Sequence, residues 1–142
     1  MSTEENKAIA RRHVEASDRG DHAAAFAVVA PDAVWHGFPG MPATVDAWKQ
    51  AHAMFFGAFP DMRITIDDEL AEGDKVVTRW TARGTHTGEL MGIPPTGKRV
   101  TFSAIAVDRI AGGEILEHWI EIDRLGLMQQ LGAIPAPGQA GR

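Results

Sequence analysis

The feature that most constrains this chain is a change of hydrophobic period near residue 62. Before it, Ile9, His13 and Ala16 recur at i, i+4, i+7, and Trp48, His52, Phe55 and Phe59 at i, i+4, i+7, i+11, the spacing of one helix face. After it, Met62, Ile64 and Ile66 alternate with Arg63, Thr65 and Asp67, the period of a strand with one buried face. Helices first and hairpin strands afterwards is an α+β order, in which the helices pack on one face of a mostly antiparallel sheet.

Punctuation divides the chain further. Ser2 or Thr3 caps the first helix, which has Glu4 and Glu5 in its first turn and stops at Gly20. Asp21 caps a short alanine-rich stretch through Phe26 to Val29, ended by Pro31; Ala33 to His36 then reads as a brief strand before the Gly37 to Pro42 turns. Thr44 caps a third helix, closed by Pro60 and Asp61. Strands follow over Lys75 to Thr87, Val100 to Ile110 and Glu114 to Asp123, with turns at Gly73-Asp74 and Gly112-Gly113, and a helical stretch Arg124 to Leu131 stops at Gly132. With no linker or internal repeat, residues 1–142 form one domain, with a Pro/Gly-rich C-terminal arm over 133–142, and 44% apolar residues suffice for its core.

Composition removes several functions. Fourteen Lys+Arg against nineteen Asp+Glu give a net charge of −5 without a basic run, which argues against nucleic acid. No apolar run nears the ~20 residues that span a bilayer, and the polar, acidic Met1 to Asn6 lacks a signal pattern, so no membrane partner and a cytoplasmic location are expected. Without Cys or Tyr, thiolate and phenol chemistry are excluded and acid–base work falls to His, Asp and Glu. No two His share an H-x-H or H-x-x-x-H spacing, so no metal is expected. Gly92 to Arg99 matches a phosphate loop up to Lys98, but it joins two strands and carries Pro94 and Pro95, which lack amide donors. No cofactor is expected.

The long strands are apolar on both faces, with Phe102, Ala104 and Ala106 on one side and Ile105 and Val107 on the other. Such a sheet needs covering twice, and a second copy of the chain is the economical cover, which predicts a homodimer through the sheet face.

The segments Gly84-Thr85-His86-Thr87-Gly88, Gly92-Ile93-Pro94-Pro95-Thr96-Gly97, Glu117-His118-Trp119 leading to Asp123, and Gln130-Leu131-Gly132 resemble the SnoaL-like polyketide cyclase, or ester cyclase, family of the nuclear transport factor 2-like superfamily. The resemblance runs from about residue 5 to residue 135. It implies a cone-shaped fold enclosing an apolar pocket, and cofactor-independent acid–base chemistry on a small hydrophobic, polyketide-like ligand: isomerisation, cyclisation or hydrolysis. Cyclase members are expected to move protons with a His and an Asp on the last two strands, and the landmark motifs align those positions with Ala106 and Ile120, which carry no protons. The same register points Phe102, Ala104, Ala106, His118, Ile120 and Ile122 into the pocket. Phe55 and Trp80 complete the expected substrate-binding wall, although alternation leaves open whether Trp80 or Arg79 faces inward.

Among ionisable groups, His118 lies two residues before Ile120 on the same face, where an apolar setting favours a neutral, basic imidazole; its bland alternative is a structural ring bonded across the sheet. His36 ends the brief strand at the expected pocket mouth, and related ketosteroid isomerases place a proton-shuttling carboxylate nearby. Asp123 is either an orienting partner for His118, a cap for the last helix, or a partner for Arg79, Arg83 or Arg109. His86 reads as loop structure, and His13 and His52 as satisfied core or interface residues. The leading expectation is proton transfer with His118 and His36 as base and acid. The alternatives are a non-catalytic ligand-binding or dimerisation module, and an epoxide or lactone hydrolase built on inward-facing carboxylates from Asp108, Glu121 or Asp123.

Overall fold

A computed structural model describes residues 2–135, 137 and 138, so that part of the expected C-terminal arm (136 and 139–142) lies outside the described residues. Helix α1 (Thr3–Asp18) opens with a capping box, in which the Ser2 hydroxyl accepts the Glu5 amide and the Glu5 carboxylate accepts the Ser2 amide, each at 3.1 Å. Asp21 caps α2 (His22–Ala27) and Thr44 caps α3 (Val45–Ala58), each side chain accepting an amide three residues on.

The five-stranded sheet has the order β1-β5-β4-β3-β2. Strands β2 (Arg63–Glu72), β3 (Lys75–Thr85), β4 (Arg99–Ala111) and β5 (Glu114–Ile122) form antiparallel neighbours, while β1 (Val29–His36) pairs parallel with β5 at the edge. Helix α4 (Arg124–Leu131) ends at Gly132, whose φ of +82° is the left-handed stop glycine tolerates. The fold is therefore the expected α+β arrangement of helices on a mostly antiparallel sheet. One boundary is corrected: β1 begins at Val29 rather than Ala33, with Pro31 inside it. An edge strand tolerates this, because the β1–β5 register breaks between Val29 and Val34 and no ladder donor is required of the proline.

β4 alternates strictly, its even-numbered residues from Val100 to Ile110 buried under the helices. Two apolar clusters form there. One gathers Ile9, Val28, Trp35, Trp48, Val76 and Ile110; the other gathers Phe55, Phe59, Leu90, Phe102, Leu127 and Leu131. A cavity of about 100 Å³ takes its walls from both. Among the described residues no helix is long and apolar enough to cross a membrane.

Candidate active site

Cross-strand pairing brings the cavity's polar groups together. Asp108 on β4 is the direct partner of His118 on β5, and His118 in turn sits beside Trp35 on β1, so all three share the inner face. Nδ1 of His118 lies 2.5 Å from Oδ1 of Asp108, and both side chains are 5% exposed. A carboxylate can only accept, so Nδ1 carries the proton, and whenever the ring is in its neutral form Nε2 carries the lone pair. Nε2 has no hydrogen-bond partner among the described residues, and the ring lines the cavity. Trp48 from α3 stacks on it, with centroids 4.3 Å apart and planes at 21°, and fixes the ring from its other side.

Two more histidines reach the cavity from the helices. His13 on α1 donates Nδ1–H to the Ala25 carbonyl at 2.7 Å, and its centroid is 6.2 Å from that of His118. Burial pushes its pKa below the ordinary histidine range, outweighing that bond, so the ring is neutral with Nε2 as an acceptor. Ser17 gives its hydroxyl proton to the His13 carbonyl and accepts from Nε2–H of His52 at 3.0 Å. Burial, then the neighbouring His13 and His22, lower the His52 pKa to about 3. His52 and Phe56 line both the cavity and a surface hollow between α2 and α3, and so separate the interior from solvent there.

The expected binding wall is assembled as follows. Phe55, Trp80, Phe102, Ala106, Ile120 and Ile122 all line the cavity. Trp80 is the inward member of its pair, and Arg79 lies on the outer face within 3.7 Å of Asp67 and Asp68. Ala106 and Ile120 are direct cross-strand partners, one rung beyond Asp108 and His118. The polar pair of this chain thus lies two residues along the same ladder from the positions where the family resemblance placed one.

Two expected catalytic residues lie elsewhere. His36 faces outward, its Nε2 2.6 Å from Glu117 and its ring stacked on Trp119 with centroids 5.1 Å apart. Because side chains alternate, Trp35 pointing inward sends His36 out, away from the pocket mouth expected for it. Its hydrogen bond, then that of Arg109, hold the Glu117 carboxyl below the usual carboxylate range. Asp123 is exposed and caps α4, accepting the Gly126 amide at 2.9 Å; it does not approach His118. Asp108 is the carboxylate that lines the cavity among the described residues; Glu121 and Asp123 do not, so a carboxylate pair for water activation is missing there. His86 is buried in its loop, where Nδ1 accepts the Thr96 amide at 3.1 Å. Among the described residues no three His, Asp or Glu side chains cluster as metal ligands.

Known proteins resemble both sequence and fold. AclR from Streptomyces galilaeus, described as a candidate hydroxylase, superposes with a TM-score of 0.87 at 31% identity, over 94% of this chain and 100% of that one. IdmH from Streptomyces antibioticus, described as a candidate polyketide cyclase, gives 0.79 at 34% identity over 89% and 98%. A 49-residue segment is 43% identical to the aklanonic acid methyl ester cyclase DnrD of Streptomyces peucetius, covering 34% of this chain and 34% of that protein. The same figures hold for DauD of Streptomyces sp. (strain C5), with 30% of that protein covered, so the match spans about a third of the length of either curated relative. The family model for SnoaL-like polyketide cyclases matches residues 7–131, and the chain belongs to that family.

Proposed function

We propose that this protein is a cofactor-independent acid–base catalyst acting on a small, largely apolar carbonyl compound of polyketide type, with His118 as the proton carrier and Asp108 as its positioning residue. The observation that supports this best is the buried Asp108–His118 pair on the wall of an otherwise apolar cavity. In a cyclisation, Nε2 of His118 takes a proton from the carbon next to the substrate carbonyl. The resulting carbanion forms a carbon–carbon bond to a second carbonyl carbon within the same molecule, whose π electrons become an alkoxide, and the imidazolium returns its proton to that oxygen. Nothing is oxidised or reduced, and one histidine serves as base and then as acid. Asp108 fixes the reactive tautomer and stabilises the transient imidazolium.

The named relatives include ester cyclases, which supports the cyclisation reading, whereas the apolar Ala106–Ile120 rung favours a binding module without turnover. Deuterium exchange at the acidic carbon of small diketone esters, followed by NMR, separates the two. Exchange lost in His118→Ala, in a variant that stays folded, supports catalysis; parental exchange in that variant eliminates His118 as the base. We also infer a homodimer through the outer sheet face, where Leu70 and Ile105 are 63% and 49% exposed.

A further inference from the structure

We propose that Thr78 is the hydrogen-bond donor for the substrate's carbonyl oxygen, and that the oxygen sits over Ala106. This rests on the acid–base reading above and adds the group that receives the negative charge. Thr78 on β3 is the direct partner of Ala106 on β4, which is in turn the partner of Ile120 on β5, so the rung Thr78–Ala106–Ile120 runs beside the one holding Asp108 and His118. Thr78 is 1% exposed and lines the cavity, and its Oγ1 has no hydrogen-bond partner among the described residues. Native chains rarely leave a sealed hydroxyl unpaired, and one beside a cavity calls for a partner.

The neighbouring imidazole and hydroxyl donors are committed. The Ser17 hydroxyl proton goes to the His13 carbonyl, Nδ1–H of His13 to Ala25, and Nε2–H of His52 to Ser17. Of the two hydroxyls on the cavity wall, the Thr78 proton is therefore the one free to meet a ligand oxygen. Alanine at 106 removes the bulk that would otherwise separate Thr78 from the His118 rung, and leaves room there for a planar carbonyl. When His118 withdraws a proton from the adjacent carbon, the electron pair of that C–H bond moves into the carbonyl and charge develops on the oxygen. A hydroxyl aimed at that oxygen gains strength as the charge appears. The ligand class is thus an enolisable ketone or ester, held by its oxygen at Thr78 and by its rings against Phe102, Ile122 and Trp80.

The test uses 4-nitrophenol, whose ionisable oxygen stands in for the enolate, and nitrobenzene, which has the ring without that oxygen, both titrated calorimetrically into the parent protein, Thr78→Val and Thr78→Ser. Valine keeps the shape and removes the hydroxyl. The expected result is a loss of about tenfold or more in 4-nitrophenol affinity for Thr78→Val, with nitrobenzene affinity unchanged and Thr78→Ser close to parental. Equal affinity of parent and Thr78→Val for 4-nitrophenol overturns the assignment while leaving His118 untouched. A structural role, such as a water bridge from Thr78 to the unpaired Oε2 of its strand neighbour Glu69, lowers the melting temperature of Thr78→Val without moving the ratio of the two affinities, and also overturns it. If neither probe binds the parent, the ligand cavity itself is refuted together with Thr78.

Discussion

Asp108 and His118 are direct cross-strand partners whose carboxylate and imidazole meet at 2.5 Å on the sealed inner face of the sheet. Removing one member leaves the other buried without a partner, which costs about 3–5 kcal/mol in such pairs, whereas replacing both with apolar groups is often neutral. Asp108→Ala is therefore expected to lose about 3 kcal/mol in urea denaturation, and Asp108→Leu/His118→Leu to stay near parental stability while losing exchange activity. If the double variant is as unstable as the single one, shape and not charge holds this pair.

Much of this was readable in the sequence, and its limits have a geometric cause. The period change at residue 62 and the caps at Ser2, Asp21 and Thr44 correspond to the observed elements, because local chemistry sets them. The inner residues Phe102, Ala106, His118, Ile120 and Ile122 follow from alternation along two paired strands once the family resemblance sets which face is inner. The outward face of His36 is not legible locally, because the face of a short edge strand depends on one residue of register, and its pairing to β5 is parallel and interrupted at a bulge. Asp108 could be named as a candidate but not paired with His118, since the alignment of two hairpin arms across the Arg109/Ile110 register shift is not written locally. His13 and Thr78 belong to elements distant in sequence, and their convergence is tertiary. A sign of Thr78 was present in the alternation that buries Val76 and Ala82, but a threonine in a strand carries no mark of what its hydroxyl meets.

Acid sensitivity follows from the two buried rings. The folded-state pKa values of His13 and His52 lie below the ordinary ~6.5, so below that pH the unfolded chain binds protons that the folded one refuses. Their stabilisation is fully present above about pH 6.5 and is lost as pH falls, for His52 down to about 3. Each contributes at most about 1.4 kcal/mol per pH unit in that window. Asp18, held low chiefly by its bond from Arg63, acts in a separate window, losing its contribution only as pH falls below the ordinary carboxylate value. Urea midpoints measured from pH 7 to 5 are expected to fall, and to fall less steeply in His52→Gln. A slope identical to the parent's removes His52 from the account.

Gly88 meets the end of α3 more closely than any side chain allows. A Cβ there would lie 2.1 Å from the Gly57 carbonyl oxygen and 3.2 Å from the Ala58 Cα, both backbone atoms that cannot rotate away. The Thr87 and Gly88 amides both donate to the Ala58 carbonyl at 3.1 Å, so this contact also satisfies a helix-end acceptor. Gly88→Ala is expected to cost about 2 kcal/mol or more, through overpacking and those lost bonds. Gly57→Ala, with open space around its Cβ in a helix, should instead gain up to about 1 kcal/mol. Thermal unfolding of the two variants checks both signs, and a tolerated Gly88→Ala refutes the close approach.

The outer sheet face carries the argument for a second copy. Leu70, Val77, Val107, Trp119 and His36 form one continuous rung across all five strands. The adjacent rungs carry both signs of charge, with Asp68, Arg79 and Glu121 on one side and Lys75, Arg109 and Glu117 on the other. A two-fold axis brings such a patch against itself with apolar groups central and opposite charges able to meet at the rim, the pattern of an isologous interface. Ile105→Glu/Val107→Glu places charge in its centre without touching the buried face, so it should yield a folded monomer with an unchanged Asp108–His118 pair. Sedimentation at tens of micromolar protein is expected to show a parental dimer and a variant monomer. A monomeric parent refutes the inference, and so does a variant that dimerises as before, because the interface would then lie on another surface.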